Sequence, residues 1–360
     1  FTPLMFAAQK GHKDIVTLLF LNHTIDVNMM SKYNYTALLI AVYYGYHEIV
    51  KLLLSHPRIN PNIMTVEGYS ALILAAQQGH DSVVKVLLTD QRIDPNLKVP
   101  ERTIYKGFTA LMIAAYKGYN LVVKEMIADK RIDPNIQNVN GYTALIIAAQ
   151  EGHDSVVKVL LTDLRRVDVN IATTRGNTAL MIASLGGHVS IVKLLLVSNM
   201  YTLININKTN DRGFTALMLA AQEGHSGVVT ELLADKRIDV NVSVLNSSNM
   251  PETAFIIAAN NNHELVLETL LADRRTIHVR PTIDNYGEEV QERYDAAINK
   301  IKKTRRARFR GIARAKMKFG EWRQKAAKET YKPGGRGFEK ARRNFLNSEL
   351  ERNLIKKKHE

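Results

Sequence analysis

Histidine recurs along this chain as His12, His80, His153, His188, His225 and His263. Aspartate recurs as Asp94, Asp133, Asp168 and Asp239, each with an asparagine two places on. Clustered imidazoles could hold zinc, and paired carboxylates could work as general acid and base. Both chemistries require convergence, since zinc draws its ligands to about 2.0 to 2.1 Å of one point. Here each residue type returns once per unit of a repeating pattern, and stacked helical units lie on the order of 10 Å apart. The histidines are therefore expected at structural turns, and the Asp–Asn pairs at turns where they bond local backbone. With no cysteine there is no thiolate metal site, thiol nucleophile or disulfide, as suits a reducing intracellular compartment. No phosphate loop, nucleophile elbow or metalloprotease helix motif occurs. The reading is a protein that is not an enzyme and needs no cofactor or metal. The sequons at Asn22, Asn34, Asn207 and Asn246 call for a secretory setting that nothing else in the sequence supports.

The pattern that spreads these residues is a repeat. Its core begins at Thr2, Thr36, Ser70, Thr109, Thr143, Thr178, Thr215 and Thr253, at intervals of 34, 34, 39, 34, 35, 37 and 38 residues, with the extra residues falling between cores. In the stretch Thr143 to His153 the threonine hydroxyl can cap a helix start, Ala148 and Ala149 permit close packing, and Gly152 can end the helix in a left-handed conformation. Val156, Val157, Leu160 and Leu161 then form one apolar face of a second helix. Neither helix is long enough to stand alone in water, so each must be buried against its neighbours.

Thr-Ala-Leu, Ala-Ala, Gly-His, Val-Val-Lys and Leu-Leu, in that order and spacing, resemble the ankyrin repeat over roughly residues 1 to 280. The resemblance implies an all-α fold: a curved solenoid of eight helix-turn-helix units with projecting β-hairpin fingers, binding another protein on its concave side. Alanine replaces the family's proline in every unit but the first, which keeps Pro3, so helix initiation rests more on the threonine cap. The longer segments Arg92 to Asn96 and Arg131 to Asn135 resemble a variant common in large protist and giant-virus ankyrin families. The last unit carries Asn260, Asn261 and Asn262 where glycine belongs, as suits the end of an array. Phe1 is not an initiator methionine and stands beside a helix start, so the first repeat is expected to be truncated, with an upstream segment missing.

By resemblance, partner contacts come from the finger tips and from the two residues before each turn glycine. Those pairs read Gln9 and Lys10, Tyr43 and Tyr44, Gln77 and Gln78, Tyr116 and Lys117, Gln150 and Glu151, Ser184 and Leu185, and Gln222 and Glu223. The residue before each core is Tyr35, Tyr69, Phe108, Tyr142, Asn177 and Phe214 in units two to seven, nearly an aromatic ladder. Aromatic rings bury large area for few lost rotamers, which suits a hot spot; each ring could equally pack on the next finger as scaffold. Tyr43, Tyr44 and Tyr116 stand where most units have polar residues and are the sharper partner candidates.

Charge divides the chain. Residues 1 to 275 carry 25 basic and 24 acidic side chains, residues 276 to 360 carry 24 and 11, and the total is +14. A basic helical extension is expected over 281–360, broken near 333–335, with its densest run at Lys302, Lys303, Arg305, Arg306, Arg308 and Arg310. Three roles remain open for it: nucleic-acid binding or nuclear import, docking on an anionic membrane or acidic partner, and capping of the last repeat. The expectation is an intracellular monomer, cytoplasmic or nuclear, in a host cell if the source is viral. It would act as a protein-binding scaffold or, alternatively, as a nucleic-acid-associated protein led by its tail. No apolar run approaches the roughly 18 residues that span a bilayer.

Overall fold

The computed structural model describes residues 1–276 apart from 23, 101–102, 164–165, 198–203, 246–250 and 274, and beyond them only positions 295, 298, 299 and 303. The chain divides into two units, Phe1–Arg280 and Pro281–Glu360. Lys302, Arg305, Arg306, Arg308, Arg310 and the break expected near 333–335 lie outside the described residues. Lys303 is helical and exposed.

The first unit is a run of short helices: α1 (Pro3–Lys10), α2 (Lys13–Phe20), α3 (Ala37–Tyr43), α4 (His47–Leu54), α5 (Ala71–Gln78), α6 (Asp81–Thr89), α7 (Ala110–Lys117) and α8 (Asn120–Ala128). It continues with α9 (Ala144–Gln150), α10 (Asp154–Leu160), α11 (Ala179–Leu185), α12 (Val189–Val197), α13 (Ala216–Gln222), α14 (Ser226–Ala234), α15 (Ala254–Asn260) and α16 (Glu264–Ala272). Every odd-numbered helix starts at a buried Thr or Ser whose hydroxyl accepts the backbone N–H three residues on, as Thr143 does from Ile146 at 3.3 Å, or at Thr2, capped in the same way. This satisfies an N–H that a helix start otherwise leaves unpaired. The turn after it uses glycine at positive φ, and in the last unit Asn262 takes that conformation at φ 59°. Asparagine reaches the left-handed region at less cost than other side chains, which is why the Asn run still closes its turn.

Odd helices pack on odd helices and even on even, each against its predecessor and successor, so the array is held by nearest-neighbour contacts. The alanine pairs, such as Ala75–Ala76 and Ala148–Ala149, are fully buried and let the helices approach closely. Val83, Val84, Leu87 and Leu88 of α6, and their equivalents along the even helices, fill the layer behind. Each fully buried Leu or Val contributes about 1.5 to 3 kcal/mol.

The fingers differ from the hairpins expected. Only β1 (Ser243–Leu245) and β2 (Pro251–Thr253) form an antiparallel ladder among the described residues, with one further bridge between Ala172 and Thr178. In most other units the finger is a five-residue turn, as where Thr65 N–H donates to Tyr69 O at 3.1 Å and Gly68 N–H to Thr65 O at 2.8 Å, with Gly68 at φ +83°. The finger before α7 is longer, closed by Val99 N–H to Phe108 O and Gly107 N–H to Val99 O, both at 2.8 Å. A type I turn closed by a left-handed glycine uses up all five residues and leaves none for a ladder. The fingers bond one another instead, Val66 N–H to Tyr33 O at 3.2 Å and Thr174 N–H to Asn140 O at 3.0 Å.

Two side-chain systems cross-link successive units on the opposite edge. Asn62, Asn96 and Asn135 each donate their amide to the carbonyl of the Arg that opens the next turn and accept the N–H of the Asp two residues later. Arg92, Arg131, Arg166 and Arg275 reach back to the last carbonyls of the preceding even helix, at Leu54, Leu88, Ile127 and Leu233, over 2.6 to 2.7 Å. A guanidinium fork satisfies acceptors that a helix end leaves unpaired and complements the negative end of its dipole. Each fork is held by a carboxylate on its own turn: Asp90, Asp129, Asp163 and Asp273. Hydrogen bonds from the guanidinium hold the Asp90, Asp129 and Asp273 carboxyls below the usual carboxylate range, against the opposing effect of burial. Asp235, paired with Arg237, behaves alike.

Candidate functional site

Five of the six recurring histidines are accounted for by packing, and His12 is exposed. Nε2 of His80, His153, His188, His225 and His263 lies 2.9 to 3.2 Å from the carbonyl oxygens of Tyr43, Tyr116, Gln150, Leu185 and Gln222 in the preceding unit. Each ring covers the turn glycine of that unit, and Tyr46 and Tyr119 cover Gly11 and Gly79 in the same way. Among the described residues no group of three or more His, Cys, Asp or Glu comes together as a metal site. Asp94, Asp133, Asp168 and Asp239 accept the N–H of the Asn two places on. Of the sequon asparagines, Asn34 holds a left-handed turn and Asn207 links Arg237 to Asp239, so both have structural work; Asn246 lies outside the described residues.

What is left over is the face formed by the fingers and the C-terminal ends of the odd helices. Tyr43, Tyr44 and Tyr116 stand 42%, 44% and 39% exposed on it. Tyr43 and Tyr44 meet edge to face at 5.2 Å, Tyr44 stacks on Tyr46 at 6.0 Å, and Gln9 donates to the Tyr44 hydroxyl at 3.4 Å. Lys117 Nζ lies 6.0 Å from the Tyr116 ring centroid. Gln78, Gln150, Glu151 and Glu223 are exposed, while Gln77 and Gln222 are half-buried. Gln150 and Gln222 each donate to the glutamate that follows.

The ladder residues Tyr35, Tyr69, Phe108, Tyr142 and Phe214 are all half-buried, one side on scaffold and the other open. Burial, with the Glu67 carboxylate and the phenols of Tyr43 and Tyr69 adding to it, pushes the Tyr35 hydroxyl above its ordinary range; burial, with Tyr105 and Glu67, does the same for Tyr69. Units two to four thus share one aromatic run. Tyr105, overlooked in the sequence, belongs to it: buried, it meets Phe108 at 5.7 Å and Tyr116 at 6.0 Å. Its signal was the five extra residues in the longest interval between cores. One register is corrected. In the sixth unit the left-handed turn residue is Gly187 at φ +72°, while Gly186 is right-handed at φ −79°. The pair before the turn is therefore Leu185 and Gly186, and Ser184 is a buried core residue where most units have alanine.

No helix among the described residues is long and apolar enough to cross a membrane. Among curated proteins the chain finds no match. Of solved structures, the ankyrin repeat domain of Bcl-3, described as a unique member of the IkappaB protein family, aligns at a TM-score of 0.56 and 24% identity. That alignment covers 64% of this chain and 98% of that one. EF0377, an ankyrin repeat protein, aligns at a TM-score of 0.49 and 30% identity, covering 54% of this chain and 96% of the other. The family model for ankyrin repeats (3 copies) matches residues 4–99, 72–172, 111–208 and 163–244. The chain belongs to the ankyrin-repeat family.

Proposed function

We propose that the chain is an interaction scaffold of eight ankyrin units that holds a partner protein along its concave finger face. The supporting observation is that Tyr43, Tyr44 and Tyr116 are exposed on that face at positions that most other units fill with polar side chains. Buried apolar residues and cross-unit hydrogen bonds account for most of the repeat, and single exposed aliphatics such as Leu18, Leu121 and Leu265 stand on the even helices, whereas these rings sit on the finger face and stabilise little by staying in water. Aromatic residues of this kind anchor protein interfaces because their area is large and their rotamers few. Tyr35, Tyr69, Phe108, Tyr142 and Phe214 would line the same strip, with Gln77, Gln78, Lys117, Gln150, Glu151, Gln222 and Glu223 as its polar rim.

The test places a photoreactive side chain at Gln78 or Gln150 on the finger face, or at Lys85 or Lys158 on the exposed side of α6 and α10, in the full chain exposed to cell extract. Protein adducts are expected from the first pair and not the second. Equal labelling from both pairs contradicts the assignment.

A further inference from the structure

The last turn of α11 breaks the pattern of the finger face. Two places before the turn residue the array presents Gln9, Tyr43, Gln77, Tyr116, Gln150 and Gln222, but here Leu185. One place before, it presents Lys10, Tyr44, Gln78, Lys117, Glu151 and Glu223, but here Gly186. Where the other units raise two long side chains, this one raises a single aliphatic group. The result is a recess of about 490 Å³ between the fingers at Asn138–Tyr142 and Thr173–Asn177 and the ends of α9 and α11. Leu185, Ile182 and the Tyr142 ring give it an apolar floor, and Asn140, Asn177 and Arg175 stand in its lining.

Arg175 is the single charged residue among those lining the recess, while two carboxylates stand at its edge, Glu151, which accepts from Gln150, and Asp211, which lies against Gly176. Thr173 Oγ1 accepts the Arg175 N–H and Asp211 donates its N–H to the Arg175 carbonyl, while the guanidinium forms no ion pair among the described residues. This contrasts with Arg92, Arg131, Arg166, Arg237 and Arg275, each committed to an aspartate. A free fork beside an apolar floor matches a ligand that brings a carboxylate and an apolar group close together. The side-chain amide of Asn140 and the Nδ2 of Asn177, whose Oδ1 accepts from Asn210, suit peptide groups running past the recess, and the recess lies on the strip that continues to either side of it.

We propose that this recess takes an acidic side chain adjacent to an apolar one, Asp or Glu beside Leu, Ile, Met or Phe, from an extended segment of the partner protein. The assignment rests on the reading of the finger face as the binding face. The apolar side chain covers Leu185, Ile182 and Tyr142, and the carboxylate pairs with the Arg175 guanidinium.

Random twelve-residue displayed peptides selected on the full chain provide the test. Selected peptides are expected to carry the acidic–apolar pair and to weaken about tenfold or more on Arg175→Glu and on Leu185→Gln. Lys in place of the acid should restore binding to the Arg175→Glu chain. Both positions are exposed, and glutamine is what Gln150 and Gln222 present at the equivalent place, so the thermal melt should hold. Peptides weakened by Tyr44→Ser or Tyr116→Ser but indifferent to Arg175→Glu and Leu185→Gln overturn the recess and leave the face reading intact. Peptides indifferent to all four substitutions overturn both. A chain that selects no peptide but is stabilised by succinate through Arg175 has a site for a small dicarboxylic acid, which also overturns the proposal.

Discussion

At Gly118 the backbone sits at φ +74°, and a Cβ there would meet His153 Cε1 at 2.8 Å. The turn glycine is thus fixed twice, by its own conformation and by the ring that the next unit lays over it. The first requirement was legible in the sequence, because glycine recurs where a helix must stop. The second was not, since His153 and the Tyr116 carbonyl it bonds are 37 residues apart and meet only when units stack. Gly118→Ala is expected to cost about 1 to 3 kcal/mol for the left-handed conformation, seen as a lower urea midpoint. The contact with the ring adds to this. In a His153→Ala background the same change should cost less, because the ring it collides with is gone. Equal costs in the two backgrounds would show that the ring does not constrain the glycine.

Among the elements, the even helices depend on what caps their C-terminal ends. Arg131 binds the Leu88 and Ile93 carbonyls of the preceding unit while Asp129 steadies it. The Asp-x-Arg spacing was visible at Asp90, Asp129, Asp235 and Asp273, but its reach was not, because the bonds run to residues about forty positions upstream. Arg131→Ala removes charge-assisted bonds worth about 1.5 to 3 kcal/mol and weakens one interface of a nearest-neighbour array. Its denaturation should broaden or separate into two transitions; a single transition as sharp as the parent's would argue against the clamp. A pH dependence follows from the same pair. The folded carboxyl of Asp129 is held below its unfolded range, about 3.9, so its stabilisation is complete above that range and is lost as pH falls through it towards the folded value. Melting temperature followed downwards from pH 5 should fall less steeply for Asp129→Asn than for the parent chain, and identical slopes would contradict the coupling.

For the molecule as a whole, the helix pattern, the caps and the apolar layers could be read from the sequence because each follows from short spacings. The strip on the finger face was legible only as a list of varying positions, since what joins Tyr35, Tyr69 and Tyr105 or opens the recess at Leu185 is the stacking of separate units. The doubled Gly186–Gly187 obscured the register there, although Gly187 stands before His188 as Gly152 stands before His153, and its positive φ and the His225 ring over it mark it as the turn residue. Charge is partitioned as the sequence counts indicate: the repeats are nearly neutral, so their binding must come from shape, aromatic area and local charges such as Arg175. The most direct measurement takes a partner captured by cross-linking from the finger face. Its affinity for the chain is compared with that for Tyr43→Ser/Tyr44→Ser/Tyr116→Ser, alongside the thermal melt of both. The expected result is binding weakened about tenfold or more with the melt nearly unchanged. Unaltered affinity, or a melt that collapses because the rings are part of the core, would contradict the scaffold reading of this face.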